Sequence, residues 1–350
     1  VYKRQALNSL ANKLYYMSYA QGDTKLKGTV EIAEGLTSSS VSASGDIAFR
    51  TDTAADKNGQ GTYVYEPEEP LDGPIIKDRL LKGETTVTAD DTHAEDGYVS
   101  AAYNGDDSIT VDMANHGLRL EAASSASAKA AAVRVGKGTD GNKKSISFIN
   151  MEKNKPLVIS ADQTNGREAT GIYVSENGKL SVAGDVVIDK VSTSGRMAYG
   201  VANRGPNAEL IIKGGLKIAG TGADEWRTVK AAKDTTGISV TAIANIGNNA
   251  KLTIEGPLDV KIQGTAINST AKGGVMRLGS GRILTPMDEH AQGNSKLVKG
   301  VNGTVFINMN EDGTAAKAED TVLQGNIYTE RRSGSKAVVN VGLASKNSSW

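Results

Sequence analysis

Cysteine is absent from all 350 residues, which rules out a disulfide framework, a thiolate zinc site and a cysteine nucleophile. The same lack suits a chain that passes through an oxidising periplasm, because no premature cross-link can form. Proline is scarce, with 7 residues, so long stretches stay free to join a hydrogen-bonded ladder. Aromatics make up 5%, which points to a narrow interior filled by aliphatic side chains. Neither sign of charge is in excess: Lys+Arg and Asp+Glu both number 40. The chain therefore lacks the basic field that draws in nucleic acid. No apolar run approaches the ~20 residues of a membrane-spanning helix.

Catalytic signatures are equally thin. Histidine occurs three times, as His93, His116 and His290, each in a polar setting that reads as a solvated turn. There is no His-Glu-x-x-His for a zincin, no Gly-x-Ser-x-Gly elbow and no Gly-Asp-Ser-Gly loop. The adjacent acids Asp90-Asp91, Asp106-Asp107 and Asp288-Glu289 point to opposite faces if they lie in strands, so none forms a two-carboxylate site without a partner from elsewhere. Arg331-Arg332 reads as a solvated turn. Gly136-Lys-Gly138-Thr-Asp-Gly141 fits a dinucleotide fingerprint, yet Asn142 to Ile149 continues as a strand where a helix is required. The reading is of a non-enzyme with no catalytic residue, cofactor or metal.

Glycine, with 40 residues, is what the chain has in abundance. It marks a repeat: Leu180-Ser-Val182-Ala-Gly184-Asp-Val186-Val-Ile188, Leu210-Ile-Ile212-Lys-Gly214-Gly-Leu216-Lys-Ile218 and Leu252-Thr-Ile254-Glu-Gly256-Pro-Leu258-Asp-Val260. Period-2 alternation argues for strands with one buried face, and the central glycine suits a corner between two sheets. Ahead of each run stands a small-x-small-aliphatic block: Ala169-Thr-Gly171-Ile172, Ala198-Tyr-Gly200-Val201 and Thr235-Thr-Gly237-Ile238, with weaker copies at Ala130-Ala-Ala132-Val133 and Gly264-Thr-Ala266-Ile267. Turn residues that tolerate positive φ separate block from run: Glu176-Asn177-Gly178, Arg204-Gly205-Pro206-Asn207 and Gly247-Asn248-Asn249. One coil cannot bury its face alone, so self-similar coils must stack. The predicted fold is all-β, a parallel β-helix.

The ends depart from the repeat. Residues 1–5 match nothing and read as artefactual. Leu7, Leu10, Leu14 and Met17 follow helical spacing and predict a short N-terminal amphipathic helix, so residues 6–50 comprise that helix and the first coils. Residues 51–77 form a polar insertion or connection, and 78–350 form the β-helical body, whose pattern at Trp350 predicts further chain beyond it.

The stretch Ala6-Leu-Asn-Ser-Leu-Ala-Asn-Lys-Leu-Tyr-Tyr16, with Gly28-Thr-Val-Glu-Ile-Ala-Glu-Gly-Leu36, resembles a recurrent block in passenger domains of bacterial autotransporters. Val341-Gly-Leu-Ala-Ser-Lys-Asn-Ser-Ser-Trp350 is similar to a stretch common in late coils of such passengers. The resemblance implies a right-handed parallel β-helix, an adhesin or display stalk at the outer-membrane surface of a diderm bacterium, with its translocating β-barrel in the same polypeptide. It implies a host or bacterial surface protein or glycan as partner, and no nucleic acid. A secreted β-helical polysaccharide lyase or glycoside hydrolase is the alternative, as is an exoprotein of a two-partner secretion system. The lyase predicts clustered acids and a basic residue in a lateral groove; the adhesin predicts dispersed charges and no deep cleft.

Specificity is expected where coil spacing stretches, because loops on a rigid scaffold carry function. Leu180 to Leu210 is 30 residues, whereas Leu210 to Leu252 is 42, and the excess falls at 221–236. That segment holds Trp226 and Arg227, residue types that dominate binding hot spots. The insertion at 51–77 holds Tyr63 and Tyr65 beside the acidic Glu66-Pro-Glu-Glu-Pro70. These four residues form the candidate binding patch.

Overall fold

The computed structural model describes residues 73–105, 107–139, 142–220, 225–233, 239–286, 295–300, 302–329 and 336–350, together with the backbone of 47–51 and 63–67. The expected helix over Leu7 to Met17 lies outside these residues. The chain divides into two compact units, Val1–Asp72 with Leu81–Glu84, and Gly73–Leu80 with Thr85–Trp350. In the first, Ile47–Thr51 pairs antiparallel with Tyr63–Pro67, matching Phe49 to Tyr65 and Thr51 to Tyr63.

The second unit is a stack of coils. Each coil contributes to three parallel sheets in a fixed order, here called sheets 1, 2 and 3. Sheet 1 runs through Lys144–Ile149, Gly178–Val182, Glu209–Ile212, Lys251–Ile254 and Val275–Leu278. Sheet 2 takes up Leu157–Gln163, Val186–Thr193, Leu216–Ile218 and Leu258–Lys261. Sheet 3 takes up Lys129–Val135, Ala169–Val174, Ala198–Asn203, Val240–Asn245 and Thr265–Ser269. This is the parallel β-helix that the alternation implied.

Register turns the sequence repeat into columns. Ile146, Leu180, Leu210, Leu252 and Met276 are successive partners in sheet 1, and all are fully buried. Phe148, Val182, Ile212 and Ile254 form the next column, two residues further along each strand. Each such side chain contributes roughly 1.5–3 kcal/mol, but only when a coil above and below closes the face.

The corner glycines are required by stacking rather than by backbone angle. A Cβ on Gly214 would lie 2.3 Å from the carbonyl carbon of Gly184, and one on Gly256 would lie 2.3 Å from that of Gly214. Gly279 extends the column beyond the three sequence repeats, its Cβ position 2.2 Å from the Gly256 carbonyl oxygen. Between sheets 3 and 1, the predicted turns do need left-handed backbone: Asn177, Asn207 and Asn249 have φ of 51°, 55° and 55°.

Two sequence readings need correction. Partner pairing aligns Ala198 with Val240, Tyr199 with Thr241 and Val201 with Ile243, so the third small-residue block is Val240-Thr-Ala242-Ile243, not Thr235-Thr-Gly237-Ile238. A Cβ at Gly200 would lie 2.7 Å from the Ala242 carbonyl oxygen, so this coil needs glycine there, while the next coil carries alanine, Ala242, at the matching position. Nor is the extra length at 221–236 one loop. Strand Val186–Thr193 pairs at one end with Leu216–Ile218 and at the other with Val229–Ala231, so the insertion splits a sheet 2 strand and the chain re-enters the same layer.

Where sheet 3 turns toward sheet 1, buried asparagines line the interior. Asn203 and Asn245 are register partners and fully buried. Asn203 Nδ2 donates to Asn245 Oδ1 at 2.9 Å, and Asn245 Nδ2 donates to the Ala250 carbonyl at 3.0 Å. The ladder adds a second donor to the Ala208 and Ala250 carbonyls, which also accept from the Lys251 and Val275 amides of the next coil.

Candidate functional site

The split strand opens a lateral groove of about 490 Å³ along the far end of sheet 2. Four successive coils supply its lining, including Asp162 and Gln163, then Ser192, then Arg227 and Lys230, then Gln263. Asp162, Ser192 and Lys230 are register partners, so stacking alone brings them together from positions about 30 to 40 residues apart. A bulge at Asp189, where the pairing skips from Ile159–Ile188 to Ser160–Lys190, places Lys190 beside Asp162.

Asp162 is the groove's carboxylate. Its Oδ2 accepts from Lys190 Nζ at 2.6 Å and its Oδ1 from Ser192 Oγ at 2.5 Å. Partial burial opposes its ionisation. The hydrogen bonds from Lys190 and Ser192, with the charges of Lys190 and Lys230, outweigh that and hold the carboxyl below the usual range. Gln163 braces the wall: its Nε2 donates to the Ala126 and Ala128 carbonyls at 3.0 Å, and its Oε1 accepts from the Asn165 and Arg167 amides.

Of the four residues singled out in the sequence, Arg227 lines the groove. Its Nε donates to Gln263 Oε1 at 3.1 Å. Trp226 is half-buried next to it, its carbonyl accepting from the Gln263 amide at 2.8 Å and its ring 5.7 Å from Lys261 Nζ. Lys261 also pairs with Glu225 at 2.8 Å, so the end of the insertion is pinned to the following coil. Tyr63 and Tyr65 belong to the other compact unit, in its antiparallel pair. Sequence reading missed Asp162, Ser192, Lys230 and Gln263, each an ordinary polar residue until its register partners are known.

The remaining candidates resolve into local structure. Asp90 caps the turn Asp91–His93, accepting from the Thr92 amide at 3.0 Å and from His93 Nδ1 at 3.1 Å. Asp91 accepts from Ser124 Oγ and the Ser125 amide, tying that turn to the next coil. His116 sits in a turn with its amide bonded to the Met113 carbonyl. His290, Asp288, Glu289, Asp106, Arg331 and Arg332 lie outside the described residues. Among the described residues no group of His, Asp and Glu is placed to hold a metal ion, and no helix is long and apolar enough to cross a membrane.

A second polar feature lies on sheet 3. The Arg204 guanidinium pairs with the buried Glu168 at 2.5 Å and sits 5.3 Å from the Tyr199 ring and 5.9 Å from that of Tyr173. Arg134 stacks 3.5 Å from the Tyr103 ring and 5.1 Å from that of Tyr98. Burial pushes the Tyr173 phenol up to about 12 and raises those of Tyr98 and Tyr199. Below pH 10 these phenols are neutral in the folded and unfolded chain alike. Between 10 and about 12 the unfolded chain ionises first, so stability falls over that window. Tyr173→Phe is expected to blunt the fall when denaturant midpoints are compared at pH 9 and pH 11.5; an unchanged slope would assign the alkaline loss to other groups.

Fold and groove together define a parallel β-helix with a lateral cleft of mixed polar and apolar lining. No protein family, curated protein or solved structure matches the chain.

Proposed function

We propose that the chain is the passenger of an outer-membrane autotransporter, an adhesin or display stalk held at the surface of a diderm bacterium and working by binding rather than by bond cleavage. One observation carries the reading: the coils stack in register over three parallel sheets, and the insertion that interrupts sheet 2 brings Arg227 and Lys230 to the side wall of the stack. A stack of coils gives length and a rigid side wall, and the insertion equips that wall for contact. Asp162 is the carboxylate among the described lining residues, and both its oxygens are engaged by Lys190 and Ser192. Hydrolysis of a glycosidic bond ordinarily uses two carboxyls flanking the bond, so this arrangement favours binding.

A lateral groove with Arg227 and Lys230 beside Asp162 favours a polysaccharide lyase as the second reading. Incubation with acidic polysaccharides separates the two, since a lyase releases products carrying an unsaturated uronate that absorbs in the ultraviolet. For the adhesive reading, the full reading frame is expressed in a non-adherent diderm host. The expected result is a protease-accessible chain at the surface and adhesion to epithelial cells or to sister bacteria several-fold above the empty host. A chain retained inside, or displayed without added adhesion, contradicts it. The gene beyond Trp350 is expected to encode a barrel of about twelve strands, each of about ten residues with alternating hydrophobicity.

A further inference from the structure

We infer that the lateral groove is a subsite for a carboxylate-bearing oligosaccharide, with the Arg227 guanidinium and the Lys230 ammonium taking the carboxylate and the Asp162–Ser192 pair taking ring hydroxyls. The inference rests on the adhesive reading and names its ligand class.

Charge is the first argument. Among the described lining residues two cations, Arg227 and Lys230, stand against one carboxylate, and that carboxylate is already neutralised by Lys190. The described lining therefore carries a surplus of positive charge. Arg227 spends only its Nε, on Gln263 Oε1, which fixes the plane of the guanidinium and leaves both terminal amino groups uncommitted. A planar fork held in this way suits a carboxylate, which it can bind through two parallel hydrogen bonds. Lys230 is exposed and makes no hydrogen bond or ion pair among the described residues, although Asp162 feels its charge.

Lining chemistry is the second argument. Around the cations stand a hydroxyl, a carboxylate and an amide, from Ser192, Asp162 and Gln263, with the apolar Val229 and Val240 beside them, and no aromatic ring is among the described lining residues. A wholly apolar ligand would strip water from Arg227 and Lys230 without replacing it. Single-stranded nucleic acid would need stacking platforms, which the described lining lacks. A sugar with an acidic group matches both parts, its carboxylate and hydroxyls facing the polar groups and its ring C–H faces the apolar ones. Its volume of about 490 Å³ falls in the range that encloses a small ligand. The four contributing coils span roughly 14 Å at ~4.8 Å per step, which suits several linked sugars better than one.

Titration calorimetry of the purified chain tests this with three probes: a hyaluronan hexasaccharide, the same hexasaccharide with its carboxyls reduced to alcohols, and a sulfated heparin hexasaccharide. The carboxylated sugar is expected to bind, the reduced one at least tenfold more weakly, and the affinity to fall with added salt. Arg227→Ala weakens binding at least tenfold and Arg227→Lys by less, because charge is kept and the fork is lost. Lys230→Ala weakens it a few-fold. Both positions are exposed, and circular dichroism of each variant checks that the coil stack is intact. Equal affinity for the reduced sugar, binding of the sulfated sugar alone, or an Arg227→Ala chain that binds like the parent overturns the assignment. The surface-displayed chain separates this from the broader reading: adhesion without hexasaccharide binding overturns the groove alone, and loss of both overturns the adhesin.

Discussion

Gly214→Ala destabilises the coil stack by about 3 kcal/mol or more. The added Cβ would stand 2.3 Å from the carbonyl carbon of Gly184 and 2.5 Å from both the Asp185 amide nitrogen and Asp185 Oδ1. Two of those atoms are backbone, held by the ladder of the neighbouring coil, so no rotamer change relieves the contact. Relief means prising two coils apart at their corner, and that opens the Leu180–Leu210 column beside it. Gly300→Ala is the control. Its Cβ would meet only side-chain carbons, Ala337 Cβ at 3.2 Å and Thr329 Cγ2 at 3.8 Å, and its effect should stay within about 1 kcal/mol either way. Guanidinium chloride unfolding, followed by far-ultraviolet circular dichroism, makes the comparison. Equal midpoints for the two variants would mean that the corners are not stacked as described.

Asn245→Ala should cost about 2–4 kcal/mol, for a different reason. The side chain is fully buried, donates to the carbonyls of Ala250 and Val275, and accepts from Asn203. Truncation strips the Ala250 carbonyl of one of its two donors, the other being the Val275 amide at 3.0 Å, takes the side-chain donor from the Val275 carbonyl, and removes one acceptor of the Asn203 amide, all in a site that water does not reach. Asn203 Nδ2 also donates to the Lys251 carbonyl at 3.0 Å, so the ladder spans adjacent coils and its members act jointly. A double-mutant cycle between Asn203 and Asn245 is therefore expected to show a coupling of at least about 0.5 kcal/mol. Additive effects, or an Asn245→Ala cost no larger than that of the outward-facing Thr253→Ala, would contradict the ladder.

Both residues show how the sequence carries this fold. The alternating runs around Gly184, Gly214 and Gly256 were legible because their period matches the strand and their spacing matches the coil. Turn asparagines were legible through their tolerance of positive φ. The third small-residue block was misplaced because identity of glycine was followed, whereas the next coil carries alanine, Ala242, at the matching position. Asn203 and Asn245 occupy equivalent places in Val201-Ala-Asn203 and Ile243-Ala-Asn245, so that signal was present once the block was aligned.

The groove was legible only in part. Arg227 stood out by residue type and by its place in a stretched coil, and it does line the cavity. Asp162, Ser192 and Lys230 became a site only through pairing across coils of unequal length. No local pattern announces such a column, since each member lies in a different turn of the stack. The split of one sheet 2 strand by the insertion was hidden for the same reason: Val229 to Ala231 has too few residues to read as a strand without its partners Val191 to Thr193.

Every feature of the account depends on the register between coils, and the lack of native cysteine makes that register directly measurable. Ser181 and Ile211 are partners on the outward face of sheet 1. Adjacent strand positions lie ~4.8 Å apart, within disulfide reach, whereas a shift of two residues moves them to roughly 8 Å, beyond it. Mild oxidation of the Ser181→Cys/Ile211→Cys chain should give a near-quantitative intrachain disulfide, while Lys179→Cys/Ile211→Cys stays reduced. Cross-linking of the second pair in preference to the first would contradict the parallel register, and with it the columns, the ladder and the groove.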